Sequence, residues 1–439
     1  MNGLRPAALA CAALFSLAAC GAHAAAAPSV VTLRNGLRVL LAPDSAATAV
    51  DLAVWYPAGT RWEPAGMAGV SHLVSRLMYR GSKQFPDGAH VRRLLAEGAN
   101  VNTTNTSDGS CYWQTLPAEA LPLALRLEAD RMGGLATTPA AFEAARADAR
   151  ADRRTRAEAT PMARGLGRLM ATAFAGGAYG RSPYGEADGL ARMTARDVEA
   201  WRRARFAPGG ALLTIVGRFE PAGTLAYVRS LFEAIPRGAA PAFAPLPVPA
   251  AGERRAWTRG ETPLRIAFAG WRGPGSADPD APAIEMLAAI LAAEGSRFET
   301  ALASDWKVAV GTQAGFQMHR DASLLWVAAA LDLEADSSTT ERVMLEEVGR
   351  LAREPLADDA FARIRSRLVL DALFGAQTVR DRAAAVGEAV FQHDDPALAD
   401  RRLESLERLT PADLQRVAQR ILVEPARTVS WYVPAGEGR

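Results

Sequence analysis

Cysteine is scarce in this chain of 439 residues, which contains only three. Cys11 and Cys20 fall in an apolar N-terminal stretch, so Cys111 is the one cysteine beyond it. If that stretch is removed on export, no intramolecular disulfide can form, even in an oxidising compartment. A zinc ribbon, which needs paired cysteines, is also excluded. We therefore expect packed cores, not cross-links, to stabilise the fold.

Lysine is equally rare, because only Lys83 and Lys307 occur and arginine carries nearly all of the positive charge. Lys and Arg total 50 against 48 Asp and Glu, which gives a formal net charge of +2. The sequence has no run of basic residues with aromatic residues between them that would follow a phosphate backbone. Nucleic acid is therefore not expected as a partner.

Long apolar runs are confined to the N-terminus. Residues 1–24 contain one basic residue, Arg5, followed by an apolar run at residues 7–19 that is too short to span a membrane. This pattern predicts an export signal with two alternative ends, either after Ala24 or before Cys20, where "LAAC" resembles a bacterial lipoprotein box. In the second case a diacylated Cys20 would anchor the protein. We expect the mature protein in the periplasm, free or anchored on the periplasmic side of a membrane.

Beyond that stretch, strand and helix patterns follow one another in mixed order, which is typical of an α+β protein. Two β-rich runs in residues 30–44 flank an Asn-Gly turn and predict a hairpin. A third strand at residues 49–60 precedes a helix at residues 66–81, whose apolar positions recur with helical spacing. Residues 98–117 then alternate as expected for a strand pair.

A stretch dense in proline and alanine divides the chain. Residues 237–255 show little periodicity and predict a semi-rigid, extended linker. Residues 256–436 then repeat the element order of residues 28–236 at similar length. An internal duplication is the simplest explanation of this repeat. We therefore predict two homologous α+β domains.

One helix pattern carries candidate catalytic residues. Zinc peptidases of the inverted type place His-x-x-Glu-His on a helix, so that two histidines reach one zinc ion and the glutamate between them serves as general base. The matching residues here are His72, Ser75 and Arg76. Only the first histidine is present, and a single histidine on a helix more often has a structural role.

The surrounding residues 54–88, "VWYPAGTRWEPAGMAGVSHLVSRLMYRGSKQFPDG", resemble the active-site segment of the pitrilysin, insulysin and mitochondrial processing peptidase family. Residues 98–132 are similar to the family's substrate-facing strand and following helix, residues 181–219 to a later N-domain signature, and residues 295–302 to a C-domain signature. The resemblance implies two homologous α+β roll domains, each a mixed or antiparallel sheet packed with helices, that close around a chamber for short, unfolded peptides.

The departures from the family pattern decide what chemistry is expected. Ser75 stands where the family has its general base, and a hydroxyl does not ionise near neutral pH. Arg76 replaces the second ligand, although a guanidinium has no lone pair for a metal. The family's third ligand aligns with Asp152 and its supporting acid with Ala145. Because His72 and Asp152 alone are too few for a zinc site, we predict no bound metal, no catalytic residue and an ion pair between Arg76 and Asp152.

The resemblance also bears on substrate binding. In some relatives a subunit without zinc supplies an Arg and a Tyr from its C-terminal domain, and the aligned positions here are Ala303 and Val310. Arg297 lies close by, and we interpret it as a surface residue of a helix. An edge strand near the zinc site binds peptide by strand addition in relatives, which implies a role for backbone groups more than for particular side chains. The matching residues are Asn102, Thr103, Thr104 and Asn105; the alternative is an exposed polar strand without a ligand.

Together these observations predict an exported, non-catalytic homologue of a zinc metallopeptidase that acts as the partner subunit of an active homologue and contributes walls to a peptide cavity. Two alternatives stay open. One is an active zinc metalloendopeptidase with a rearranged site that uses His72, Asp152 and a further ligand. The other is a stand-alone peptide-binding or scaffold lipoprotein of the cell envelope.

Overall fold

The computed structural model describes residues 27–247 and 250–436, and the predicted export signal with Cys20 lies outside them. None of the helices in these two ranges is long and apolar enough to cross a membrane. The described part holds one cysteine, Cys111, which is buried and free. Hydrophobic clusters centred on two sheets form the cores of the two halves of the chain.

From residue 27 onward, the N-terminal half contains six strands and eight α-helices. The strands are β1 (Ser29–Thr32), β2 (Arg38–Pro43), β3 (Ala49–Tyr56), β4 (Asn100–Asn105), β5 (Ser110–Pro117) and β6 (Leu212–Gly217). The helices are α1 (Val70–Met78), α2 (Ala89–Ala96), α3 (Leu121–Gly133), α4 (Pro139–Asp152), α5 (Pro161–Ala173), α6 (Ala187–Arg192), α7 (Ala195–Arg205) and α8 (Pro221–Phe232). A π-helical turn, Arg153–Ala157, continues α4.

The C-terminal half contains five strands and seven α-helices in the described residues. The strands are β7 (Arg254–Gly260), β8 (Ile266–Pro274), β9 (Ala309–Met318), β10 (Ala322–Leu331) and β11 (Arg427–Pro434). The helices are α9 (Ala281–Ala292), α10 (Arg297–Glu299), α11 (Ser337–Arg353), α12 (Asp358–Gly375), α13 (Val379–His393), α14 (Leu398–Arg408) and α15 (Pro411–Ile421). A π-helical segment, Thr300–Asp305, continues α10.

Local sequence explains several of these boundaries. The predicted hairpin forms between β1 and β2, and Gly36 adopts the left-handed φ of +86° that its turn requires. Both α4 and α5 begin with a Thr-Pro pair, in which the threonine hydroxyl accepts a hydrogen bond from a first-turn N–H group and the proline occupies the first helical position. Both helices therefore start at fixed points.

The two sheets share one topology, as the duplication predicts. The strand order is β1-β2-β6-β3-β5-β4 in the first sheet and β7-β11-β8-β10-β9 in the second. Without β1, each sheet has one parallel pair, β2 with β6 and β7 with β11, and all other neighbours are antiparallel. The predicted α+β class and the two-domain duplication are confirmed.

The linker differs from its predicted form in two ways. Strand β7 begins at Arg254, so the C-terminal half starts two residues before the expected residue 256. The linker is also tied to both halves, because Gly209 N donates to Arg237 O at 2.7 Å and Leu246 N donates to Asp321 Oδ2 at 3.1 Å. Proline content indicated an extended segment, but composition carries no information about these backbone contacts.

The two halves exchange helices. From the N-terminal half, α5 packs on the C-terminal sheet through Leu169 and Ala173, which meet Phe268 of β8. From the C-terminal half, α13 packs on the N-terminal sheet, where Phe391 stacks on Trp55 of β3 with ring centroids 5.8 Å apart. Each sheet therefore has one face covered by its own helices and the other by a helix of the opposite half.

A buried polar junction joins the halves where these helices meet. The Arg61 guanidinium, whose side chain is 2% exposed, donates to Asp108 of the N-terminal half at 3.1 Å and to Asp321 of the C-terminal half at 2.6 Å. The Tyr179 hydroxyl donates to Asp108 at 2.9 Å. Arg320 completes the group, because its backbone N–H donates to Asp108 at 2.9 Å. These five residues are called the junction below.

Candidate functional site

Helix α1 presents the candidate residues from a fixed position. Leu73, Val74 and Leu77 are buried in the N-terminal core and fix the helix on the sheet. The Glu63 carboxylate accepts hydrogen bonds from the backbone N–H groups of Gly69 and Ser71, at 2.9 and 3.0 Å, and so satisfies donors at the start of the helix. The opposite side of α1 carries His72, Ser75 and Arg76 toward α4 and β4.

The predicted ion pair between Arg76 and Asp152 is present. Arg76 Nε donates to Asp152 Oδ2 at 2.6 Å, and a second guanidinium nitrogen contacts the same oxygen. His72 Nε2 lies 2.9 Å from this oxygen as well. The Asp152 side chain is 16% exposed and that of Arg76 31%, so the pair is only partly open to solvent. One carboxylate oxygen therefore holds both side chains of α1.

The environment of His72 favours the neutral imidazole. Burial lowers the pKa of His72, and the nearby Arg76 adds to this effect, whereas Asp152 opposes it. A neutral ring next to a carboxylate carries its proton on the facing nitrogen, so Nε2 donates to Asp152. The ring also packs edge-on against Tyr184, with centroids 5.3 Å apart. The Nε2 atom of His72, which faces the site, thus donates its hydrogen to Asp152.

A zinc ion does not fit the residues present. Catalytic zinc sites use three protein ligands, whereas this site offers His72 and Asp152, which are bonded to each other. The Arg76 guanidinium is cationic, has no lone pair and bonds to the same carboxylate oxygen. Across residues 27–247 and 250–436, no group of three or more His, Cys, Asp or Glu side chains is arranged to hold a metal ion.

Buried residues occupy the positions that align with the family's base and supporting acid. The Ser75 hydroxyl lies 3.1 Å from Ser71 O and 3.0 Å from Asn105 Oδ1, so it connects α1 to β4. Ala145 is fully buried on α4 within the N-terminal core. Neither position carries a group that can take a proton from water near neutral pH.

A cavity of about 350 Å³ opens beside these residues. Its walls combine α1, β4, the π-helical turn after α4 and a loop, and every lining residue belongs to the N-terminal half. The lining residues are His72, Ser75, Arg76, Tyr79, Val101, Asn102, Thr103, Asn105, Arg156, Pro183 and Tyr184. We call this space the β4 cavity.

Strand β4 is the last strand of its sheet, as expected for a peptide-binding edge. Of the four predicted peptide-binding residues, Asn102, Thr103 and Asn105 line the β4 cavity, whereas Thr104 is exposed and is not part of the lining. Tyr79 fixes this strand to α1, since its hydroxyl lies 2.5 Å from Thr103 Oγ1. The structure thus brings the pair between Arg76 and Asp152 and the edge strand together around one cavity.

The sequence patterns do not point to three residues of the cavity wall, Tyr79, Arg156 and Tyr184. For Arg156 a signal exists, because it follows Asp152 at a four-residue helical spacing. Tyr184 is distant in sequence and is recognised only from the fold.

In the C-terminal half, Arg297 is a surface residue, as interpreted from the sequence, and it pairs with Glu354 at 2.7 Å. Val310, the position aligned with the family's tyrosine, is exposed.

Comparisons with known proteins agree with this architecture. Zinc protease PqqE of Helicobacter pylori is 23% identical over 416 residues, which cover 92% of each protein. Mitochondrial cytochrome b-c1 complex subunit 1 of Bos taurus is 24% identical over 266 residues, or 60% of this chain and 55% of that protein. The crystal structure of a protease from Helicobacter pylori superposes with a TM-score of 0.86 at 21% identity, covering 93% of this chain and 99% of the other.

Two family models match the chain in succession. The model described as insulinase (peptidase family M16) matches residues 38–186, and the model described as peptidase M16 inactive domain matches residues 192–368. Together they span most of both halves, in the order expected from the sequence resemblance. The chain belongs to peptidase family M16.

Proposed function

We propose that this protein is an exported, non-catalytic member of family M16 that binds peptides and acts as the partner subunit of an active homologue in a peptide-degrading or processing complex. One observation carries the proposal: the Arg76 guanidinium is bonded to Asp152, with its positive charge where a family member would hold zinc. The site is thus stabilised without a metal, since the cation offsets the cost of a partly buried carboxylate.

The surrounding residues support the loss of catalysis. Hydrolysis by this family's route needs an activated water and a base, and the positions concerned hold the Ser75 hydroxyl and the Ala145 methyl group. Replacing one of these two residues alone would therefore not restore both the activated water and the base. One relative is named a zinc protease. The proposed loss of catalysis therefore applies to this chain and not to the whole family.

The partner role is supported by architecture. The β4 cavity lies at the free edge of the first sheet and is walled by the N-terminal half alone, so a second chain can supply its remaining walls. The exchanged helices and the junction hold the two halves together, which favours a chamber formed with another subunit over one opened between the halves. One relative is, by its name, a subunit of a larger complex.

Export is supported by residues 1–24, whose single arginine and short apolar run fit a signal sequence. Mass spectrometry of the mature N-terminus from the native host tests this part. A diacylated Cys20 would establish a membrane anchor, and a terminus after Ala24 would establish a soluble periplasmic form. An intact N-terminus that begins at Met1 would contradict export.

Zinc content tests the non-catalytic proposal. We expect near zero zinc per chain for the mature protein, purified without a His tag and exchanged exhaustively into metal-free buffer. Arg76→His removes the cation and adds a third donor, so zinc added to that variant should bind at about one per chain. The matched control is Arg80→His, four residues further along the chain and just beyond the end of α1, where zinc binding should stay near zero. One zinc per wild-type chain would overturn the proposal.

The partner role needs a separate test. A homologue from the same genome with an intact His-x-x-Glu-His helix is mixed with this chain, and complex formation is followed by size-exclusion chromatography and peptidase activity. A stable complex more active than the homologue alone is the expected result. A homologue that is equally active alone, with no complex, would reject the partner role.

A further inference from the structure

We infer that the β4 cavity binds a peptide carboxylate and that Arg156 is the residue that contacts it. The inference rests on the proposed peptide-binding function and adds the chemical class of the ligand. The carboxylate belongs to an extended peptide, either as an acidic side chain or as a free C-terminus. The metal position of the family has thereby become an anion-binding position.

The charges in the cavity wall are not balanced. Asp152 lies beside the lining residues, and the Arg76 guanidinium and the His72 ring both use its Oδ2 atom. Arg156 forms a longer ion pair with the other oxygen, because its Nε lies 3.9 Å from Asp152 Oδ1, beyond hydrogen-bond distance. Its side chain is 62% exposed and lines the cavity. Among the described residues, Arg156 therefore has donors available to a ligand.

The segment that carries Arg156 is also basic. Arg150 and Arg154 lie close to Arg156 in sequence, and neither has a carboxylate within the 4.0 Å salt-bridge distance among the described residues. Arg153 is matched by Glu158, which it contacts at 2.6 Å. The excess of guanidinium groups gives this segment a positive potential, which attracts anionic ligands and raises their association rate.

The edge of β4 supplies backbone groups for the rest of the peptide. Thr103 N donates to the Asn102 side-chain oxygen at 2.8 Å and not to β5, so this N–H points to the open edge. A peptide that adds to β4 can replace the Asn102 carboxamide at this N–H group. Because Thr103 also lines the cavity, a peptide paired here passes beside Arg156.

Four versions of one labelled peptide of nine residues test the inference by fluorescence anisotropy. The central residue is Glu or Gln, and the C-terminus is free or amidated in each case. We expect the versions with a carboxylate to bind roughly tenfold more tightly than the amidated Gln version, the usual size of a hydrogen bond to a charged group. Comparison of the Glu and free-terminus versions shows which carboxylate is used.

Arg156→Gln should abolish this preference, and Arg154→Gln, two residues away on the same turn, should retain it. Since Arg156 is mostly exposed, its replacement leaves the fold intact, which thermal unfolding checks. Equal affinity of all four peptides for the wild-type protein would overturn the carboxylate inference but leave peptide binding in place. Absence of binding by every peptide at millimolar concentration would overturn both the inference and the proposed peptide-binding function.

Discussion

Asp152 is the residue around which the candidate site is arranged. Its Oδ2 atom accepts from His72 and from Arg76, which lie one helical turn apart on α1. The same residue types would be incompatible around a zinc ion, because the guanidinium would meet the dication. With Arg76 at this position on α1, the Asp152 carboxylate is the anchor of an ion pair.

This arrangement predicts different costs for two neighbouring aspartates. Asp152→Ala leaves the partly buried Arg76 and His72 without their acceptor, so we expect a loss of about 1–2 kcal/mol in the free energy of unfolding. Asp148→Ala removes the partner of Arg80, where both side chains are more than a third exposed. Its expected cost is within about 0.5 kcal/mol. Urea denaturation of both variants checks the difference, and equal midpoints would contradict it.

The sequence predicted contacts between side chains where the residues lie on one helix or occupy positions that align with the family's ligands. The pair between Arg76 and Asp152 was inferred from two departures at known positions, 76 residues apart. Tyr184, which packs on His72, was not anticipated, because nothing in the local pattern relates a loop tyrosine to a distant helix. Side-chain neighbours of this kind are set by tertiary packing alone.

At the scale of elements, the exchanged helices meet the opposite sheets through glycines. On α5, a Cβ atom at Gly165 would lie 2.2 Å from Phe268 Cε2, so only glycine allows this close approach. On α13, a Cβ atom at Gly387 would lie 2.8 Å from Trp55 Nε1. Glycine is unfavourable inside helices, and its presence at both crossings reflects the packing.

Two substitutions on α5 separate packing from helix propensity. Gly165→Ala should destabilise the protein by about 1–3 kcal/mol, because the added methyl group overlaps Phe268. Gly167→Ala, two residues away with nothing within 4 Å of its Cβ position, should stabilise it by up to about 1 kcal/mol. Urea midpoints of the two variants should move in opposite directions. A stabilised Gly165→Ala variant would show that α5 does not pack on the C-terminal sheet.

The type and order of most elements followed from the sequence, because strand alternation and helical spacing are local signals. The exchange of α5 and α13 did not follow from it. An amphipathic stripe shows that a helix packs on something, but it does not identify the sheet, so α5 was placed with the N-terminal domain by its position before the linker. Its apolar residues instead cover the C-terminal sheet.

At the scale of the whole molecule, the junction makes the two halves one structural unit. Arg61 connects Asp108 with Asp321 and also contacts the linker carbonyl of Ala244. Charged groups are retained in a buried position only when they are paired, so removal of one partner is costly. The linker depends on the same group, since Asp321 accepts from Leu246 N.

Arg61→Met should therefore destabilise the protein by about 3–5 kcal/mol, because it leaves the buried Asp108 without its cation. The linker should also become sensitive to limited proteolysis within residues 237–253. Arg229→Met, at an exposed position of α8, is the control and should change stability by no more than about 0.5 kcal/mol. An unchanged cleavage pattern in Arg61→Met would show that the junction does not hold the linker.

Stability should fall on mild acidification, and His319, which packs against the junction residue Tyr179, provides the test. Burial lowers the pKa of His319, as it does for His72, His90 and His393. In the unfolded chain these histidines bind protons near their usual pKa of about 6.5, whereas in the folded protein they stay neutral there. The free energy of unfolding therefore rises with pH through this range and falls on acidification. The limiting slope is about 1.4 kcal/mol per pH unit for each such histidine.

The test range is pH 7.5 to about 6, because burial raises the pKa of Asp51 to about 6 and its protonation has the opposite effect below that point. His319→Phe keeps a ring against Tyr179, on which His319 stacks at 4.3 Å, but cannot be protonated. We expect urea midpoints of the variant to depend less on pH than those of the wild type. Equal slopes would show that His319 titrates alike in both states, and that acid sensitivity arises elsewhere in the molecule.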